Sequence, residues 1–197
     1  LNEIAANGGY QFFSAFRNNE LNYRQFYRLA DDGQLSEKIK MQLAATNEGL
    51  YNIKRQITAD APEKRLNIIL ITVESLSADY LTKFGNKKNI TPFMDTWFQD
   101  GALFTNFYAT GTRTIRGLEA LTLSIPPTAG QSIVKRPDNE KLFNLGHVLQ
   151  ERGYDTAFLY GGMGYFDNMN AFYEGNGYRI VDQNQFTSQE VTFKNAW

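Results

Sequence analysis

The run "LNIILITV" at residues 66–73 constrains the fold of this chain more than any other stretch. It is continuously apolar and rich in β-branched residues, the pattern of a strand buried on both faces of a parallel sheet. "ESLSADYL" follows without a spacer, which puts Glu74 at the carboxyl end of that strand. Open α/β sheets bind their ligands at that edge. A carboxylate there is costly unless something neutralises it. A divalent cation, an arginine, or a helix cap near Ser75 and Ser77 would each do so.

The segments beyond Glu74 continue the pattern. "TPFMDTWFQDG" predicts a short helix with Thr91 as cap, Pro92 at its first position and Gly101 as its stop. "ALFTNFYAT" predicts a second strand, and "RGLEALTLSI" the helix after it. "LFNLGHVLQERG" reads as an amphipathic helix ended by Gly153, "YDTAFLYGG" as a strand entering a glycine-rich turn, "FDNMNAFYEGNGY" as a helix or loop, and "RIVD" as a short strand. This alternation predicts an α/β domain over residues 64–197, with a mostly parallel sheet and helices on both faces. Residues 1–63 read instead as a helical segment and linker. Phe12, Phe13 and Phe16, then Tyr23, Phe26 and Tyr27, recur at helical spacing and suit packing on a neighbouring domain. Ser36 is the expected cap of a helix carrying Ile39, Leu43 and Ala44, and Pro62 marks the linker.

Composition excludes several kinds of chemistry. With 20 basic and 21 acidic residues the formal net charge is −1, and no basic block interleaves with aromatics, so no nucleic-acid partner is expected. The chain has no cysteine, which removes disulfides, thiolate metal sites and thiol nucleophiles. No apolar run approaches the roughly 18–20 residues of a membrane span. The first residue is Leu1 rather than methionine, and the chain is expected to be part of a longer protein. The single histidine, His147, lies within an ordinary amphipathic helix, which argues against a histidine-rich metal site or a Ser/His triad built from this chain. It is expected to be structural.

The stretch "YATGTRTIRGLEAL" has two readings. Gly111 allows a sharp turn, and Thr112 or Thr114 places a hydroxyl at a helix N-terminus, where free N–H groups and the helix dipole favour an anion. Arg113 and Arg116 suit bidentate phosphate contacts, and a metal would activate the hydroxyl as a nucleophile. Equally, a threonine is a common cap, and both arginines suit a solvated surface.

Three stretches decide between these readings when taken together. "NIILITVESLSADYL", "TPFMDTWFQDGALFTNFYATGTRTIRGLEAL" and "LFNLGHVLQERGYDTAFLYGG" resemble, in order and spacing, the first half of the sulfatase-like catalytic domain of lipoteichoic acid synthases and related phosphoglycerol transferases, members of the alkaline phosphatase superfamily. The resemblance covers roughly residues 64–183. It implies an alkaline phosphatase-like fold, present here in part, preceded by a juxtamembrane helical segment over 1–63. It further implies that Glu74 binds Mn2+ or Mg2+, and that Thr114 is both nucleophile and metal ligand, with Arg113 standing where the family has lysine; Thr112 is the alternative nucleophile. Arg113 and Arg116 are the implied substrate ligands.

The implied reaction moves glycerophosphate from an anionic phosphatidylglycerol-type lipid, through a phosphothreonine ester, to a glycan or polyglycerophosphate hydroxyl. The implied setting is a bacterial cell membrane, reached through a segment outside this chain, with the catalytic domain facing the periplasm or exterior. Two departures stand out. Asp167 and Met169 occupy positions where those synthases carry a tryptophan and an arginine, and the Asp-His pair and further histidine that complete the family's metal site do not occur before Trp197. The chain alone is therefore expected to hold half a site and to turn nothing over. Alternatives are a phosphoethanolamine transferase, sulfatase or phosphodiesterase, or a non-catalytic binding domain on the same fold.

Overall fold

A computed structural model describes residues 7–17 and 22–193. The expected 1–63 segment includes residues 1–6 and 18–21, which lie outside the described residues. The chain divides into two compact units, Glu20–Thr72 and Leu1–Asn19 with Val73–Trp197. Among the described residues no helix is long and apolar enough to cross a membrane.

Helix α1 spans Gly8–Arg17 and buries none of its residues, so Phe12, Phe13 and Phe16 are all exposed. In the Glu20–Thr72 unit, α2 covers Tyr23–Phe26 and α3 covers Asp32–Leu43. The cap of α3 is Asp31, whose carboxylate accepts the Gln34 N–H at 3.1 Å, and not Ser36 as expected. The cap lies five residues earlier than expected, because Asp31 at the head of "DDGQ" supplies the acceptor. Ser36 is buried within the helix and donates to the Leu50 carbonyl.

Residues 66–73 form no strand, and Ile69 is 85% exposed. The expected strand at 102–110 is also missing, replaced by a turn at Thr105 and Asn106. An apolar β-branched run forms a strand only where another chain segment accepts its N–H and C=O groups. Among the described residues the sheet has only two strands, Ala157–Leu159 and Arg179–Val181, and neither run joins it.

The larger unit is built outward from its C-terminal half. Helix α4, Pro92–Asp100, begins and ends where expected, with Thr91 and Gly101 as its flanks. Thr91 makes no capping bond; its hydroxyl lies 3.2 Å from the Tyr80 carbonyl and 3.1 Å from Asp95 Oδ2. Helix α5 spans Thr114–Leu123 and α6 spans Leu145–Gln150. Asn144 caps α6 by accepting the His147 N–H at 3.0 Å, and Gly153, at φ +81°, turns the chain after it.

Strand β1 (Ala157–Leu159), α7 (Met169–Gly175) and β2 (Arg179–Val181) then form a βαβ crossover. The strands are parallel, with Phe158 opposite Ile180. The core lies on the face carrying Phe158, Tyr160 and Ile180, where Leu118 and Leu123 of α5 meet Met169, Phe172 and Tyr173 of α7 around the fully buried Val134. The Tyr173 ring stacks on Phe158 with centroids 3.9 Å apart. Its hydroxyl shares a 2.9 Å hydrogen bond with Thr122, and burial pushes its pKa up to about 12.

Asn176 closes the unit from the other end. Its amide nitrogen donates to the Asn139 and Phe172 carbonyls, each at 2.7 Å, and its amide oxygen accepts from Leu142 N–H. Since Phe172 is fully buried at the centre of this cluster, Phe172→Ala is expected to cost about 3–5 kcal/mol of stability. Urea unfolding followed by circular dichroism measures that loss.

Candidate functional site

The chain folds so that two residues forty positions apart touch. Thr114 is the first residue of α5, and its hydroxyl donates to Glu74 Oε1 at 2.8 Å. The backbone at each end explains how. Ser75, directly after Glu74, lies in the left-handed region at φ 60°, a conformation costing a non-glycine residue about 1–2 kcal/mol. Ser77 then accepts the Asp79 N–H and starts a short 3-10 helix at Ala78–Tyr80. The chain therefore reverses sharply after the carboxylate.

On the other side, Gly111 approaches α5 so closely that a Cβ there would stand 2.7 Å from Arg116 Cβ. That requirement, rather than an unusual φ, is why the position needs glycine. Arg113 is the N-cap residue in extended conformation, and its side chain makes no capping bond. The N-terminus of α5 therefore lies at Thr114, beside the exposed Arg113, and a helix N-terminus favours an anion.

Glu74 and Thr114 offer hard oxygen donors of the kind Mn2+ and Mg2+ take. They fit as two members of such a shell. Among the described residues no group of three or more His, Asp or Glu side chains is placed to hold a metal ion. A full octahedral shell requires donors beyond these two.

The remaining sequence-derived candidates fall elsewhere. Thr112 is exposed and has no hydrogen bond to Glu74 among the described residues. Arg116, expected to contact substrate, is instead engaged within the protein. Its Nη1 pairs with Glu119 Oε1 at 2.9 Å and its Nη2 donates to the Gly130 carbonyl. His147 is half-exposed on α6, 3.4 Å from Glu151 and edge-on to Phe143. Met169 is 2% exposed in the core, and Asp167 pairs with Lys135. Neither of these last two supplies a cation for a phosphate.

Two residues absent from the sequence-derived candidates, Glu119 and Ser132, carry much of the local structure. Glu119 is 1% exposed, and its second oxygen accepts from Ser132 Oγ at 2.6 Å and Ile133 N–H at 2.7 Å. The "RGLE" spacing, an arginine three residues before a glutamate on one helix, was the available signal. Nothing in the sequence reveals that Ser132 completes the shell.

Burial acts to raise the Glu119 pKa, but the hydrogen bonds from Ser132, Arg116 and Ile133 outweigh it and hold the carboxyl below its ordinary value. A folded pKa below the unfolded one, about 4.3, means that this stabilisation is complete above the unfolded value and is lost as pH falls through the folded one. Acid unfolding of the wild type is expected to reflect that loss. Glu119→Gln should flatten the dependence below about pH 4 and lower stability at neutral pH by about 1–3 kcal/mol.

Comparison with known proteins places this geometry in context. The sequence model of the sulfatase family matches residues 66–195. A solved structure described as a protein in the alkaline phosphatase superfamily, from Vibrio parahaemolyticus, superposes with a TM-score of 0.75 at 32% identity. The match covers 89% of this chain and 43% of that one, so the chain spans less than half the length of its solved relative. The small parallel sheet and its helices are thus an alkaline phosphatase-like α/β fold.

Proposed function

Because the chain belongs to the sulfatase family, whose fold carries hydrolases and transferases, we propose that it supplies the nucleophile of a metal-dependent phosphoglycerol transferase. The observation that carries this reading is the 2.8 Å hydrogen bond from Thr114 to Glu74. It joins the hydroxyl and carboxylate that the resemblance to lipoteichoic acid synthases assigns to nucleophile and metal ligand.

In the first step Thr114 Oγ1 attacks the phosphorus of a phosphatidylglycerol-type lipid. Its proton, donated to Glu74 Oε1 in a hydrogen bond in the resting site, passes to solvent as the P–O bond forms. The bond from phosphorus to the diacylglycerol oxygen breaks, and diacylglycerol leaves carrying a proton, with glycerophosphate esterified to Thr114. In the second step an acceptor hydroxyl on a glycan or polyglycerophosphate attacks the same phosphorus, the ester bond from phosphorus to Thr114 Oγ1 breaks, and the proton lost by the acceptor is replaced on Thr114 Oγ1. Arg113 and the first N–H groups of α5 bind the phosphate oxygens. Glu74 and Thr114, with further donors, would hold Mn2+ or Mg2+, and the ion would supply charge stabilisation to the displacement. The lipid donor fits a catalytic domain held at the outer side of a bacterial membrane by a segment outside this chain.

A sulfate-ester reading has less support. The formylglycine of sulfatases arises from cysteine or serine in a "C/S-x-P-x-R" run, and this sequence has no cysteine and no such run. In the full-length protein supplied with Mn2+, Thr114→Ala is expected to lower glycerophosphate release from phosphatidylglycerol vesicles by about 10³-fold or more, with the fold intact by circular dichroism. Thr112→Ala should stay close to wild type. The opposite pattern would move the nucleophile to Thr112, and full activity in both variants would sink the mechanism.

A further inference from the structure

The Thr114–Glu74 contact is solvent-exposed, and one such hydrogen bond contributes only about 0.5–1.5 kcal/mol. It cannot by itself hold a hydroxyl in register for an in-line attack. What holds α5 lies beneath it. Ser132 Oγ lies 3.2 Å from the carbonyl of Ile115, the residue after Thr114. Arg116 is gripped at both ends: Gly111 packs against its Cβ, while its guanidinium reaches Glu119 and the Gly130 carbonyl. Glu119, 1% exposed, ties this turn to residues 132–133 through Ser132 Oγ and Ile133 N–H. Among the described residues the first turn of α5 is thus held at Ile115 by Ser132 and at Arg116 by Glu119 and Gly130, and Ser132 also bonds Glu119.

We infer that Arg116 and Glu119 are positioning residues, a part-buried arginine on a buried glutamate, that set the first turn of α5 so that Thr114 meets Glu74. The inference rests on the nucleophile reading above. It also reverses the expectation for Arg116, which acts through the helix rather than on the substrate. The phosphate contact from the arginines of this segment then falls to Arg113 alone, the exposed one.

The test uses the full-length, Mn2+-supplied protein carrying Arg116→Gln, Arg116→Lys or Glu119→Gln. Loss of a positioning residue should lower kcat by about 10–100-fold and leave KM within about twofold, because substrate contacts are unchanged. Arg116→Lys should recover part of kcat, since an ammonium still reaches Glu119 but cannot bridge to Gly130. Hydrogen exchange across residues 113–119 should quicken in Arg116→Gln while α7 and β2 keep their protection. A KM raised tenfold or more with kcat unchanged would show Arg116 to be a substrate ligand and overturn the inference, as would unchanged exchange at 113–119. Uniformly faster exchange would also overturn it, reducing the pair to general stability. The exchange measurement needs no turnover. Activity retained in Thr114→Ala would therefore sink the nucleophile reading alone, and wild-type kcat in Arg116→Gln beside a dead Thr114→Ala would sink the positioning inference alone.

Discussion

A carboxylate taken out of water has to be matched by donors from the protein, and Glu119 is the buried charge on which the larger unit depends. Each of its oxygens is used: one by Arg116, the other by Ser132 and the Ile133 N–H. In a low-dielectric interior such a charge is tolerable only when its shell is complete, and then it is rigid. The shell draws on the first turn of α5, the loop at Gly130 and the short 3-10 helix at Ile133–Lys135. Val134, in that last element, is fully buried against α5 and α7. The polar node and the apolar core are thus two sides of one joint.

The candidate site sits on top of this joint and is built differently. Thr114 and Glu74 are joined by a single exposed hydrogen bond, and the turn behind Glu74 carries a serine in the left-handed region. Strain and exposure at the Thr114–Glu74 contact, supported by a completed network underneath, is the division expected where a side chain must be held in place yet remain reachable. Arg113, the residue before α5, is exposed and its side chain makes no capping bond to the helix.

Local rules read from the sequence succeeded where a single short segment decides the outcome. Pro92 and Gly101 bound α4 as expected because proline at a helix start and glycine at its end act through their own backbone restrictions. The strand at "RIVD" and the turn at Gly153 were legible for similar reasons. Ser36 does not cap α3, because a cap competes with its neighbours and Asp31 ahead of it accepts the Gln34 N–H at the helix start. The two missing strands failed for a different reason: "LNIILITV" and "ALFTNFYAT" carry the composition of strands, but a ladder needs a second segment, and no local pattern contains it.

The same distinction holds for the site. Residue order alone establishes that a carboxylate follows an apolar run, that a glycine-flanked threonine and two arginines open a helix, and that thiol chemistry is excluded. It also carries the ordered motifs of the sulfatase-like family. Which threonine meets Glu74, and which arginine is tied to a buried glutamate, is decided only once the chain is folded. Thr112 and Thr114, or Arg113 and Arg116, are interchangeable by residue type. They are separated by helix phase: the first residue of α5 turns toward Glu74, and the third turns inward onto a buried glutamate whose remaining partners lie thirteen and fourteen residues further along the chain.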